Sequence, residues 1–484
     1  MKTALLMLAL TGALLSSSAW AGPPAAPKTP AAAEPSVSFD HFGRVPLVSP
    51  QGAPRSVALL LSAGAEAQAL AAEGALVLVV DTAHYLEELG HAGKCAYPAG
   101  ELEALSQFTE KTLDLPEYLH PLLIGTGAGS AIAYASLAQA PENTFLGVVS
   151  LGFRPELALP IPICKGNGLI RARSTNGKTE VFQPVPTLMA PWRLLPGTKE
   201  SPAELERQRL FIQKMEGAQT VPLASGAPGS EARLATLRRV YAELSAPPVR
   251  APVATALAVA SDGGAPSADA STVSQAEPVE DLPLIEVPAA TPSPDSFALL
   301  MSGDGGWAGI DKHLAAALNT QGLSVVGWDS LRYFWKRRTP EDTAKDLARA
   351  LTHYLTVWNS RSAVLVGYSR GADVLPATVA RLPAELRQRV RLVALVAPGR
   401  IAEFEVHVTD LLGGGGGDAQ VLPEVQALGG LPVLCLYGNQ DVEESLCPLL
   451  TEVKGAKTLM LEGGHHFGGD YARVARAIID ALGP

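Results

Sequence analysis

The sequence predicts an α/β protein with two tandem domains, each a doubly wound and mostly parallel sheet. Three observations carry that prediction. Short Val/Leu/Ile runs alternate with longer helix-compatible segments, and continuously apolar strands belong to parallel sheets covered on both faces. Six blocks of the first half recur in the second in the same order. A low-complexity stretch lies between the halves, and 484 residues exceed one ordinary core.

Taken in order, residues 1–21 read as an export signal. Lys2 is the positive start, Ala4 to Leu15 the apolar core, and Ala19-Trp20-Ala21 a small-x-small cleavage site. The apolar stretch is short for a membrane span, and no lipobox cysteine follows it. A retained N-terminal anchor is the alternative reading. Residues 22–36 are Pro/Ala-rich and expected to be disordered. Residues 37–244 form the first domain, 245–281 a linker without aromatics or periodicity, and 282–484 the second domain.

The repeated blocks pair as follows. The segment from Val45 matches that from Leu282, Ala75 onward matches Leu323 onward, and Pro121 onward matches Ala363 onward. Phe145 onward then matches Arg391 onward, Arg193 onward matches Leu434 onward, and Met215 onward matches Val453 onward. Within the second half, Thr339 to Trp358 predicts a helix. Thr339 is its N-cap, Pro340 occupies its first position, and acids fill its first turn.

The chemistry centres on Gly367-Tyr368-Ser369-Arg370-Gly371. An apolar run from Ala363 enters this G-x-S-x-G, and a helix-compatible stretch leaves it. That is a strand, a tight turn and a helix with serine at the apex, the form of a nucleophile elbow. The plainer reading is a Gly/Ser turn. A serine needs a base, and the base an orienting acid, in the chain order Ser, Asp/Glu, His. Asp441 follows a strand read from Leu431 to Tyr437, with Glu443 and Glu444 as substitutes. His465 and His466 follow a strand read from Thr458 to Leu461. His466 is preferred as the base because it directly precedes an aromatic in a Gly-rich loop; His465 stays open. The oxyanion donors are expected to be the Arg370 N–H and one from Asp304, Gly305 or Gly306, in Ser302-Gly-Asp-Gly-Gly-Trp307 after the strand from Phe297. The first half has Gly127 where the second has Ser369, and Gly226-Ala227-Pro228-Gly229 where it has the histidines. Glu200 is a weak counterpart of Asp441. The first domain is therefore expected to be a hydrolase-like fold without catalytic residues.

The net charge of −10 and the absence of a Lys/Arg block exclude a nucleic-acid binder. Four cysteines suit an oxidising compartment, and the pairs expected are Cys95–Cys164 and Cys435–Cys447, the latter bracketing Asp441. Two unpaired buried cysteines are the alternative. None has zinc-site spacing, so no metal is expected. Ester cleavage by such a serine needs no cofactor.

The stretches LLMSGDGGWAGIDKHLA, VVGWDSLRYFWKRRTPEDTAKDL, VLVGYSRGADVLP and CLYGNQDVEESLCP resemble the bacterial AcvB/VirJ virulence-protein family. The resemblance covers residues 282–484, and the two-domain layout looks like AcvB. It implies a periplasmic protein of the α/β-hydrolase superfamily that hydrolyses lysyl- or alanyl-phosphatidylglycerol. Its partner would then be an aminoacylated phospholipid at the periplasmic face of the inner membrane. The resemblance also implies a link to type IV secretion, so a secretion-associated interaction protein or chaperone is the rival reading. A general carboxylesterase or peptidase is another. Lys336, Arg337 and Arg338 are candidates for meeting the lipid phosphate, or else a solvated basic turn.

Overall fold

The central strands, such as Ser56–Leu61, Ser296–Met301, Ser362–Tyr368 and Val390–Val396, are short and almost wholly apolar, which a sheet sandwiched between helices requires. The computed structural model describes residues 35–62, 64, 66–91, 93–197, 200–222, 230–246, 278–406 and 419–483. The expected export signal, nearly all of the Pro/Ala segment, most of the linker and Gly226–Gly229 lie outside the described residues.

The first half contains β1 (Ser36–Phe39), β2 (Gly43–Val48), β3 (Ser56–Leu61), α1 (Ala67–Ala72), β4 (Ala75–Val79) and α2 (Thr82–Leu89). Then come α3 (Pro98–Thr112), β5 (Pro121–Thr126), α4 (Ala128–Gln139) and β6 (Gly147–Leu151). The short strands β7 (Glu156–Ala158), β8 (Arg171–Arg173) and β9 (Thr179–Phe182) form a separate antiparallel sheet. The half ends with β10 (Thr187–Leu195), α5 (Pro202–Ile212), β11 (Glu216–Thr220) and α6 (Glu231–Ser245). Its main sheet runs β1-β2-β4-β3-β5-β6-β10-β11, parallel from β4 to β11.

The second half contains β12 (Leu284–Val287), β13 (Ser296–Met301), α7 (Gly309–Asn319), β14 (Val325–Trp328), α8 (Ser330–Tyr333) and α9 (Pro340–Val357). Next are β15 (Ser362–Tyr368), α10 (Arg370–Ala380), α11 (Ala384–Arg387), β16 (Val390–Val396), β17 (Ile401–Ala402) and β18 (Ala419–Gln420). It closes with α12 (Val421–Gln426), β19 (Val433–Gly438), β20 (Ala456–Leu461) and α13 (Tyr471–Leu482). Its main sheet runs β12-β14-β13-β15-β16-β19-β20.

With β1 set aside, the two sheet orders coincide strand for strand. The edge strands β2 and β12 are the antiparallel ones in both. The six repeated blocks fall on these equivalent strands, β5 with α4 matching β15 with α10. The chain thus folds as two tandem α/β domains. Buried side chains cover both faces of each sheet. The expected helix after Thr339 is present as α9, and the Thr339 side chain accepts the Asp342 N–H at 3.0 Å. Both expected disulfides are formed, Cys95–Cys164 and Cys435–Cys447.

Candidate active site

Ser369 stands between β15 and α10 with φ 51° and ψ −121°. This region is disfavoured for a residue with a Cβ and is held by its surroundings. Two glycines make the turn possible. A Cβ at Gly367 would strike the Gly371 carbonyl, and one at Gly371 would strike the Met301 carbonyl on β13. The Ser369 N–H donates to Val396 O at 2.9 Å, anchoring the apex to β16. The hydroxyl stands at the C-terminal edge of the parallel sheet, where ligands bind in such folds.

The loops after β19 and β20 converge on this hydroxyl. His465 Nε2 lies 2.9 Å from Ser369 Oγ. His466 turns elsewhere, its Nδ1 3.2 Å from the Tyr368 hydroxyl. The preference for His466 is therefore corrected: His465 meets the serine. Adjacent residues in a turn face different ways, and the next residue, Phe467, is buried at φ 51°. Tyr368, only 4% exposed, also donates toward His465 O at 3.4 Å. The aromatic hydroxyl preceding the serine thus orients the histidine loop, a role that the x of G-x-S-x-G could have signalled.

The acid loop is stitched to the histidine loop. Gly463 N donates to Asn439 Oδ1 at 3.0 Å, and Gln440 N donates to Gly463 O at 3.1 Å. A Cβ at Gly464 would lie 3.4 Å from Asp441 Oδ1, so the carboxylate lies against the histidine loop. Asp441 Oδ2 is buried without a hydrogen-bond partner. Burial and the neighbouring His466 lower the His465 pKa, against the opposing charges of Asp441, Asp304 and Glu444. The imidazole is thus kept neutral at pH 7, as a general base must be. The Cys435–Cys447 bond ties β19 to the segment beyond Asp441, closing the acid loop at both ends.

The glycine-rich loop after β13 lies against the same apex. A Cβ at Gly303 would sit 3.4 Å from Ser369 Cβ. Ser302 Oγ accepts the Ser330 N–H at 2.9 Å, and Gly306 N donates to Gly303 O at 3.2 Å. That bond removes Gly306 from the candidate oxyanion donors. Asp304 and Gly305 form the exposed tip. Arg370 opens α10, and its guanidinium turns to the loop after β16, donating to Glu405 O at 2.8 Å. Asp373 Oδ1 accepts the Gly399 N–H at 2.7 Å in that same loop, a tie the sequence did not reveal.

The basic turn has other partners. Lys336 pairs with Asp114, Arg338 stacks 4.7 Å over the Tyr333 ring, and Arg337 lies 3.9 Å from Glu405. The turn is thus engaged within the chain, although Lys336 and Arg337 stay partly exposed. Among the described residues, no His/Cys/Asp/Glu group could hold a metal.

In the first half, Gly127 occupies the equivalent apex with φ 55° and ψ −120°. Gly125 and Gly129 make the same close approaches as Gly367 and Gly371, against Gly129 O and Leu61 O. The elbow is duplicated in its backbone and lacks only the serine.

Residues 295–483 match the family described as bacterial virulence protein (VirJ). The match covers the second domain and does not extend into the first. A search of curated proteins finds no match to the chain. Solved structures similar to it include the esterase Est1E from Butyrivibrio proteoclasticus, at 13% identity and TM-score 0.32, covering 42% of this chain and 93% of that one. Another is a proline iminopeptidase from Mycobacterium smegmatis, at 14% identity and TM-score 0.30, covering 41% and 94%. MenH from S. aureus is similar at 12% identity and TM-score 0.32, covering 42% and 99%. The matched residues include Ser369, His465 and Asp441, and the domain before them carries the apex glycine.

Proposed function

We propose that this chain is an exported serine esterase that hydrolyses the aminoacyl ester of aminoacyl-phosphatidylglycerol. The observation that carries the reaction type is the 2.9 Å approach of His465 Nε2 to Ser369 Oγ at a strained elbow. In this scheme Ser369 Oγ attacks the ester carbonyl while His465 takes its proton. The carbonyl oxygen becomes an oxyanion, held by the Arg370 N–H and one N–H from Asp304 or Gly305. Collapse expels the phosphatidylglycerol hydroxyl, which receives the proton from His465. Water, deprotonated by His465, then cleaves the aminoacyl-serine ester and frees the amino acid. Asp441 stabilises the imidazolium through its charge, and its unpartnered Oδ2 is available to accept the Nδ1–H as the site closes.

The choice of an aminoacyl ester draws on the match of residues 295–483 to the VirJ family and on the charge around the serine. An aminoacyl group keeps a protonated amine next to the reacting carbonyl. Asp304 acts electrostatically on His465, on Tyr368 and on Asp373, whose pKa rises to about 8 through burial and its acidic neighbours. Glu103 of the first domain is half-buried, and burial together with Asp304 pushes its pKa up to about 7. With Asp373 and Glu103 largely neutralised by these shifts, the negative charge at the site comes from Asp304, Asp441 and Glu444, which act on His465 and favour a cationic acyl group over a neutral or anionic one. Four cysteines in two disulfides support an oxidising compartment such as the periplasm.

The test offers purified wild type and Ser369→Ala four substrates: lysyl-phosphatidylglycerol, alanyl-phosphatidylglycerol, the N-acetylated alanyl lipid and a short neutral ester. Free amino acid released only by wild type, with the N-acetyl lipid turned over at least tenfold more slowly, is expected. Equal turnover by Ser369→Ala would sink the serine mechanism. Turnover of the short ester alone would make the protein a general carboxylesterase.

A further inference from the structure

We propose that the serine-less first domain is the cap of the serine site, and that its Asn143 positions the oxyanion-side loop. The role of that loop rests on the hydrolase reading above; its positioning does not. The first domain makes contact through the segments 113–120 and 140–144, which lead into β5 and β6 at the N-terminal edge of its sheet. Their partners in the second domain follow β13, β14 and β16, at the C-terminal edge that carries Ser369. The duplicated sheets are therefore stacked head to tail. The Gly127 elbow lies on the far edge of the first sheet, away from this interface.

The interface is built rather than incidental. Trp335 is fully buried, and its Nε1–H donates to Leu115 O at 3.0 Å. The Tyr118 ring stands 5.1 Å from it, and Lys111 Nζ lies 4.7 Å over its face. Tyr118, at 2% exposure, packs into the core of the other domain. Ion pairs Arg332–Glu117 at 3.1 Å and Lys111–Glu405 at 3.3 Å flank this centre.

Asn143 acts on the loop itself. Its Nδ2 donates to Trp307 O, the last residue of Ser302–Trp307. The next ion pair, Glu142–Lys312 at 2.6 Å, holds the start of α7. The loop is thus pinned at one end by Ser302 within its own domain and at the other by Asn143 from the first. The Trp307 ring lies on Gly327, where a Cβ would strike it, so the carbonyl clamp also fixes a buried anchor. Between the pins only the Asp304–Gly305 tip is exposed. An oxyanion donor must be held to a few tenths of an ångström to act.

Asn143→Asp tests this. It keeps the shape and the left-handed backbone (φ 69°), which Asn and Asp both tolerate, and replaces the donating NH2 by an acceptor that repels the Trp307 carbonyl. Hydrogen exchange of the 302–308 amides should accelerate about tenfold. Ser369-dependent ester turnover should lose about tenfold in kcat with KM within about twofold, less than the hundredfold or more for deleting a donor outright. Trp335→Phe, which loses the bond to Leu115, should lower the melting temperature and leave the loop's exchange unchanged. Unchanged loop exchange in Asn143→Asp overturns the proposal. So does an equal acceleration in Trp335→Phe, which would trace the effect to a loosened interface. If wild type shows no Ser369-dependent turnover, the hydrolase reading fails, and the exchange data still decide the positioning.

Discussion

Substituting the apex serine by glycine should give a more stable protein than substituting it by alanine, which reverses the ordinary order. Both changes remove the hydroxyl and its contact with His465, so that loss cancels in the comparison. What remains is the backbone at φ 51° and ψ −121°. A residue with a Cβ pays about 1–2 kcal/mol to be held there, whereas glycine occupies it without strain. Glycine's larger freedom in the unfolded chain costs about 0.4–1 kcal/mol in the opposite sense. The difference leaves Ser369→Gly ahead of Ser369→Ala by about 0.5–1 kcal/mol. Gly127 shows that this conformation persists without a side chain, and a Cβ built there meets nothing within 4 Å. The penalty is therefore torsional and not a clash. Urea unfolding followed by tryptophan fluorescence reads the transition of the second domain, which holds Trp307, Trp328, Trp335 and Trp358. With slopes of about 1–3 kcal/mol per molar, the glycine variant should unfold at a midpoint a few tenths of a molar higher or more. The reciprocal change, Gly127→Ala, should destabilise the first domain despite the open space around it. An alanine variant as stable as the glycine variant would refute the claim that the elbow is strained.

His465→Ala should reduce kcat for esters by a factor of about 10³ or more, and His466→Ala far less, because only His465 reaches the serine. The opposite ranking would return the base to His466. In wild type the acidic limb of kcat/KM should fall below the ordinary histidine range, since burial and His466 lower the His465 pKa. His466→Asn should move that limb up, and Asp441→Asn should move it down while slowing the reaction. A limb unmoved by either substitution would show that His465 is not the group titrating. Glu110 supplies a stability test. It is fully buried, accepts the Leu119 N–H at 2.8 Å and the Ser106 hydroxyl at 2.9 Å, and burial raises its pKa to about 8. A raised carboxyl pKa means the folded state binds the extra proton. Its contribution is full below the unfolded value of 4.5 and is lost as pH rises through about 8. Glu110→Gln should therefore gain on wild type by on the order of 3 kcal/mol between pH 4.5 and 7, measured by unfolding midpoints. A difference that stays flat with pH would place the carboxyl's titration elsewhere.

The fold was legible because its signals are local. Apolar runs such as Val364–Val366 and Leu392–Val396 can be little else than buried strands, and their repeated order carried the duplication. The glycines around Ser369 were legible because each answers one steric demand within a few residues. What the sequence left open depends on side-chain direction and on distance along the chain. His465 and His466 are separated by one peptide bond, and a rotation about the Gly463–Phe467 turn decides which meets the serine. Gly306 looks like an oxyanion donor until its N–H is seen closing a turn on Gly303. Trp335 and Tyr118 read as ordinary core residues of separate halves, yet they pack on each other. Lys336 reads as a free basic residue, and its partner Asp114 lies 222 positions away.

The duplicated elbow separates what the fold needs from what the chemistry needs. If the tight turn served only to present a serine, relaxation of the first-domain turn would be expected once the serine was gone. Instead Gly127 keeps φ and ψ within a few degrees of Ser369, and Gly125 and Gly129 keep their contacts with neighbouring carbonyls. The turn is retained because it lets α4 lie against β3, as α10 lies against β13, and closing that gap is a packing requirement. The serine is then an addition that costs strain and gains nothing in packing. A strained residue at the C-terminal edge of the sheet, hydrogen-bonded to a histidine whose pKa is lowered, is explained by reactivity and by no feature of the core. The first copy, relieved of that strain, retains its sheet and turns the opposite edge of it to the surviving site. Its value to the molecule, under this proposal, lies in the loops at 113–120 and 140–144, which lead into β5 and β6 and contact Trp335 and Trp307.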